Sequence, residues 1–145
     1  MFRGTLSIHL DNKGRLTIPT RYRSAFEDGV VVTIDLIQSC LLLYPLVEWE
    51  KIERKLSALS AINPTERRIQ RLLLGYANEC QMDPTGRILL PATLRRHGKL
   101  KKNAMFVGQL NKFELWDEEI WYKQVEDDLA AVAPTMENLS NKLKI

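Results

Sequence analysis

Cysteine, histidine and long apolar runs are scarce in this 145-residue chain, and each shortage removes a class of protein. The two cysteines, Cys40 and Cys80, sit in apolar or mixed surroundings without CxxC spacing. Neither a disulfide framework nor a redox motif is expected; free thiols in a reducing compartment are. The two histidines, His9 and His97, share no ligand spacing with those cysteines, so no metal or other cofactor is expected. No stretch approaches the roughly 20 apolar residues that cross a bilayer. The first residues, MFRGTLSIHLDNKGR, lack the apolar core and small-residue cleavage site of a secretory signal, and the chain reads as cytoplasmic. Its 7 glycines are scattered rather than gathered into a phosphate-cradling loop. No nucleophile beside a base and no spaced carboxylate pair stands out, so an enzyme is not expected.

The chain does contain a repeat. DNKGRLTIP at residues 11–19 returns as DPTGRILLP at 83–91. A constant offset of 72 residues carries Asp11 to Asp83, Gly14 to Gly86, Arg15 to Arg87 and Pro19 to Pro91. Without a gap it also carries Arg23 to Arg95, Leu43 to Leu115, Tyr44 to Trp116 and Trp49 to Trp121. Such a repeat decides architecture before any local signal does. One unit of roughly 50 residues would be marginally stable alone, so two should pack about a pseudo-twofold axis. The expected organisation is a first repeat at 3–50, a helical connection at 51–75, a second repeat at 76–123 and a helical tail at 124–145.

Within each unit the local signals agree. Leu6, Ile8 and Leu10 alternate with Thr5, Ser7 and His9, the period of a half-buried strand. Asp11-Asn12-Lys13-Gly14 and Asp83-Pro84-Thr85-Gly86 predict type I turns closing on a left-handed glycine, each a hairpin with a bulge. Leu16 and Ile18 are expected inward, Arg15 and Thr17 outward, with Pro19 and Pro91 ending the strands. A short helix and two more strands follow in each repeat, near 20–27, 30–35 and 41–44, and again near 92–97, 104–108 and 113–116. Leu46, Trp49, Ile52, Leu56 and Leu59 mark the buried face of a helix over 45–60. Asn63-Pro64-Thr65-Glu66 reads as a helix start, with Asn63 as cap and Glu66 closing a capping box. That helix stops near Gly75, and residues 126–145 predict a polar helical tail broken at Pro134.

The net charge of +3 names no partner, but its distribution is informative. Residues 1–25 hold Arg3, Lys13, Arg15, Arg21 and Arg23 against the single acid Asp11, and residues 95–102 add Arg95, Arg96, Lys99, Lys101 and Lys102. Acids gather instead at 114–119 and 126–128. Sorted charge of this kind suits one face for a polyanion and another for a different contact. In the two turns, Asp is expected to accept backbone N–H bonds and Arg to steady Asp. A bulge re-aims the side chain beside it, and a guanidinium on a stiff hairpin can bond bidentately to guanine edges or to phosphates. Arg15 is therefore the leading DNA-contact candidate, with Lys13 and Arg3 as phosphate contacts and Arg87 as a secondary contact. Ser7, Lys13 and Thr17 correspond to Glu79, Thr85 and Leu89, so the first repeat is expected to face nucleic acid and the second to lean toward assembly. Arg67, Arg68 and Arg71 offer a weaker second patch, better read as a solvated or subunit-facing helix surface. Trp49 and Trp121 are expected in the core.

MFRGT, LDNKGRLTIPTRYR, CLLLYPLVEWEKIE, NPTERRIQRLLLGYANECQMDPTGRILLP and NKFELWDEEIW together closely resemble the MraZ family, over roughly residues 1–125. That resemblance implies two units of the AbrB/SpoVT swapped-hairpin type within one chain, a mainly β fold with peripheral helices forming a double-split β-barrel. It implies sequence-specific binding of double-stranded DNA and transcriptional control of the division and cell-wall gene cluster, at the nucleoid. It also implies a homo-oligomeric ring of eight or more subunits on short G-rich direct repeats. The family's motif positions carry over to Asp11 and Arg15 and to Asp83 and Arg87. The alternative is an antitoxin-like protein-binding module that uses the tail.

Overall fold

The computed structural model describes residues 1–145. Its strands are β1 (Thr5–His9), β2 (Arg15–Thr17), β3 (Val30–Ile34), β4 (Leu41–Pro45), β5 (Asn78–Cys80), β6 (Arg87–Leu89), β7 (Asn103–Gln109) and β8 (Lys112–Asp117). Its helices are α1 (Leu46–Ser57), α2 (Pro64–Gly75), α3 (Ala92–His97), α4 (Glu118–Val132) and α5 (Met136–Leu143), with a 3-10 segment at Thr20–Phe26. Six strands form one antiparallel sheet in the order β1-β7-β8-β4-β3-β5, and β2 and β6 form a separate two-stranded ribbon.

The turns form as the sequence predicts, but the hairpins they start do not continue. Asp11 N–H bonds to the Arg15 carbonyl at 2.9 Å and Gly14 N–H to the Asp11 carbonyl at 3.0 Å. Gly14 and Gly86 take φ values of +84° and +82°, the left-handed region that a side chain disfavours. After a single bridge between Leu10 and Leu16 the two arms part. β1 goes to β7, β5 to β3, and β2 pairs with β6. Only the β3–β4 and β7–β8 hairpins are internal to a repeat; β4–β8 is a further ladder between the repeats. Each repeat therefore completes the other's sheet, and neither half retains a core of its own. This is the expected mainly β, double-split arrangement, built from two exchanged units.

Alternation along the sheet strands makes two cores. Val30, Val32, Ile34, Leu41, Leu43, Ala104, Phe106, Phe113 and Leu115 face the ribbon residues Leu16, Ile18, Ile88 and Leu90 in one buried cluster. Phe106 and Phe113 stack there with centroids 3.9 Å apart. Val31, Leu42, Tyr44, Met105, Val107 and Trp116 face the opposite way, onto Trp49 and Leu56 of α1. Strands buried on both faces explain the nearly continuous apolar runs VVVTI and LLLYP. The buried Thr33 hydroxyl donates to the Leu73 carbonyl at 2.8 Å, pinning α2 to the sheet. Removing a fully buried ribbon side chain such as Leu16 or Ile88 costs about 2–5 kcal/mol.

Three local expectations change. Asn63 caps α2 by accepting from the Thr65 and Glu66 N–H groups, but no capping box closes. Glu66 reaches the Ser60 N–H instead, while the Ser60 hydroxyl takes the Asn63 N–H that Glu66 would need. The gapless offset also conceals two compensating length changes. Pro45 and Asp117, equivalent by the offset of 72, pair with Val30 and Ala104, which stand 74 apart. The loop before the third strand is thus two residues shorter in the first repeat, residues 27–29 against 98–102, and the β3–β4 connection is two longer. Trp49 is buried as expected, whereas Trp121 is only partly covered.

Candidate nucleic-acid interface

The β2–β6 ribbon brings the two motif arginines together. Arg15 stands opposite Leu89, Leu16 opposite Ile88 and Thr17 opposite Arg87. Directly opposed residues share a face, so Arg15, Thr17, Arg87 and Leu89 all look outward while Leu16 and Ile88 seal the core. The two arginines lie on a diagonal of that face, roughly 8 Å apart at Cα from strand rise and spacing.

Each arginine is held by its own turn. Asp11 Oδ1 accepts the Lys13 and Arg15 backbone N–H groups, both at 2.9 Å, and Oδ2 accepts Arg15 Nε at 2.7 Å. Asp83 does the same for Thr85 and Arg87, again with Nε at 2.7 Å. The Arg15 backbone N–H, with help from the guanidinium and the Lys13 N–H, lowers the Asp11 carboxyl to about 2. The Arg87 N–H leads the same effect at Asp83, which falls well below the ordinary carboxylate range. Nε is committed in both arginines, which leaves the terminal Nη groups free for a bidentate acceptor. Side-chain exposure is similar, 32% for Arg15 and 40% for Arg87, so access to the two is alike.

Each turn is steadied from the other repeat. Arg95 Nε donates to the Leu90 carbonyl at 3.2 Å and lies across Gly14; Arg23 Nε donates to the Ile18 carbonyl at 2.9 Å and lies across Gly86. A Cβ at either glycine would collide with the covering guanidinium. The offset pairs Arg23 with Arg95 in the sequence, but nothing there assigns them this role. Around the first turn, Arg95, Lys101 and Lys102 line one cleft with Asp11, Asn12 and Gly14. The basic run at 95–102 is visible in the sequence as charge; its address beside the opposite repeat's turn is not.

Other candidates are placed elsewhere. Lys13 is exposed in the first turn, next to Arg15. Arg3 precedes β1 and lies at the end of that strand away from the turn, about 20 Å or more from Arg15 by strand rise, so it does not join the group. Arg87 shares the ribbon face with Arg15, so each repeat presents its motif arginine on the same side of the ribbon. Arg67, Arg68 and Arg71 are exposed on α2, which packs on the sheet face opposite the ribbon. Cys40, Asp35 and Glu114 converge within 4.8 Å, a grouping no sequence spacing reveals. Their groups are already committed: Asp35 accepts two turn N–H groups, and Glu114 accepts the Trp116 indole N–H. Burial first, then the Glu114 and Asp35 charges, pushes the Cys40 thiol far up, and burial raises Cys80 to about 11. Burial thus favours the protonated thiol over the thiolate at both positions. No helix is long and apolar enough to cross a membrane.

A family model described as "MraZ protein, putative antitoxin-like" matches residues 1–72 and again residues 73–142. The chain belongs to the MraZ family. The second match runs through residue 142, so the tail after 126, undiagnostic in the sequence, falls within the MraZ pattern. A "Transcriptional regulator MraZ" from Serratia proteamaculans is 61% identical over 99% of this chain and 97% of its own length. Proteins of the same name from Pectobacterium carotovorum and Yersinia pestis are each 60% identical over the same shares. MraZ proteins are transcriptional regulators, not enzymes.

Proposed function

We propose that this chain is a sequence-specific DNA-binding transcriptional regulator that reads DNA with the β2–β6 ribbon. One observation carries this most directly: two guanidiniums, each held by a carboxylate through Nε, project from one face of an exposed two-stranded ribbon. A two-stranded β-ribbon fits the major groove of B-DNA, and a bidentate arginine on guanine O6 and N7 is the commonest specific contact there. Relatives named as transcriptional regulators over nearly the whole chain support the same reading.

The finer parts follow from the family resemblance. The protein acts in the cytoplasm at the nucleoid, upstream of its own gene in the division and cell-wall cluster, on short G-rich direct repeats, as a homo-oligomeric ring. One hairpin pair would discriminate weakly, each good arginine contact being worth about 1–3 kcal/mol. Identical ribbons on evenly spaced repeats gain affinity through effective concentration, and heterologous contacts that close would supply the array.

Footprinting of the DNA upstream of this gene, with a salt titration of the same complex, tests the reading. Protection should recur at regular intervals over G-rich repeats, and affinity should fall steeply with salt through counterion release. Absence of protection, with salt-insensitive capture of a protein by the tail at 124–145, would favour the antitoxin-like alternative.

A further inference from the structure

The two ends of the ribbon match in their turns and differ in the loops beside them. Between the 3-10 segment and β3 the first repeat has Glu27-Asp28-Gly29, and this loop packs near Gln81 at the approach to the second turn. Between α3 and β7 the second repeat has Gly98-Lys99-Leu100-Lys101-Lys102, longer by two residues. That longer loop is tied to the first turn: the Leu10 N–H donates to the Lys102 carbonyl at 2.8 Å. Lys101 and Lys102 line the cleft whose other wall is Asp11, Asn12 and Gly14. Lys99 holds a left-handed φ of +53°, where glycine is favoured, so the loop keeps a third cation against the backbone's own preference.

The charges facing these lysines are weak competitors. Lys101 Nζ lies 3.8 Å from Glu119 Oε2, with both side chains largely exposed, a pair of the kind that contributes little. Glu118 and Asp117 border the same lysines on the far side from the turn. Lys101 and Lys102 therefore stand beside the turn that carries the exposed Lys13 and leads into Arg15, where a polyanion crossing that end of the ribbon would pass.

We propose that residues 99–102 form a phosphate-contact arm, supplied by the second repeat to the first repeat's turn, and that this arm makes the Arg15 end the dominant one. The proposal rests on the DNA reading above. Lys101 and Lys102 hold the sugar–phosphate backbone and carry no sequence information, while Arg15 reads bases. The Glu27-Asp28 loop at the opposite end repels a backbone phosphate, so the ribbon docks with one polarity.

The test is Lys101→Ala/Lys102→Ala in the full-length protein, measured by gel shift on upstream DNA and on a scrambled duplex across a salt series. Affinity for both duplexes should fall in parallel, and the slope of log K against log salt should flatten by about 1 per lysine at each engaged ribbon. Lys101→Arg/Lys102→Arg should keep the wild-type slope, and Lys142→Ala/Lys144→Ala in the tail should change nothing. An unmoved slope in the 101/102 alanine variant, with the wild type binding normally, overturns the arm alone. A wild type that fails to retain either duplex overturns the DNA reading and the arm with it.

Discussion

The first and second turns are the same object locally and different objects in context. Both place Arg Nε 2.7 Å from Asp Oδ2, both close on a left-handed glycine, and both lie under an arginine from the other repeat. Around them, lysines at 99, 101 and 102 stand where the other end has Glu27 and Asp28, and Ser7 corresponds to Glu79. Duplication therefore conserved the parts that shape the ribbon and varied those that set its field. On the reading proposed above, the neighbours of the motif separate the two ends as much as the motif unites them.

Removing both motif arginines should give the largest effect, since it erases the matched feature entirely. Arg15→Ala/Arg87→Ala is expected to abolish retention of upstream DNA in a gel shift while light scattering reports an unchanged assembly. The turns themselves should then prove equal. Gly14→Ala and Gly86→Ala each force a Cβ into a left-handed backbone and against a guanidinium, so each should cost about 1–3 kcal/mol and lower the thermal midpoint by a similar amount. Unequal losses would break the claim that the turns are structurally equivalent. A smaller change should follow from making the ends alike in charge. Glu27→Lys/Asp28→Lys is expected to raise affinity for scrambled DNA several-fold and steepen its salt dependence, with little gain in sequence preference. The smallest effect is expected from pH in the neutral range. Both aspartates are depressed in the folded state, so their contribution is fully present above the ordinary value of 3.8 and is lost as pH falls towards about 2 at Asp11, and lower still at Asp83. Thermal melts between pH 8 and pH 5 should therefore show no step from either turn.

Much of the fold was legible in the sequence because its local rules agree. Turn chemistry at Asp11–Gly14 and Asp83–Gly86, alternation at 5–10 and the Asn63-Pro64 start each correspond to an observed element. Strand exchange was not legible from residues alone, since turn signals say where a chain reverses and not which partner its arms choose. The family resemblance supplied that part. The gapless offset hid two opposite changes of two residues, because a deletion before β3 is cancelled by an insertion after it. At the candidate site, the places of Arg15 and Lys13 beside the first turn were readable from turn chemistry and charge. Arg23 and Arg95 were not, because their role arises only when each repeat lies over the other's glycine. Arg3 attracted notice through its charge, but a five-residue strand stands between it and the turn.

The most direct test sets Arg15→Ala beside Arg87→Ala in one gel-shift titration on the upstream DNA, with light scattering on both proteins. A ribbon whose ends are matched in geometry and unequal in field predicts that Arg15→Ala loses specific retention altogether. Arg87→Ala should weaken it only in part, and both should assemble as the wild type does. Wild-type affinity in Arg15→Ala, or a larger loss in Arg87→Ala, would contradict it.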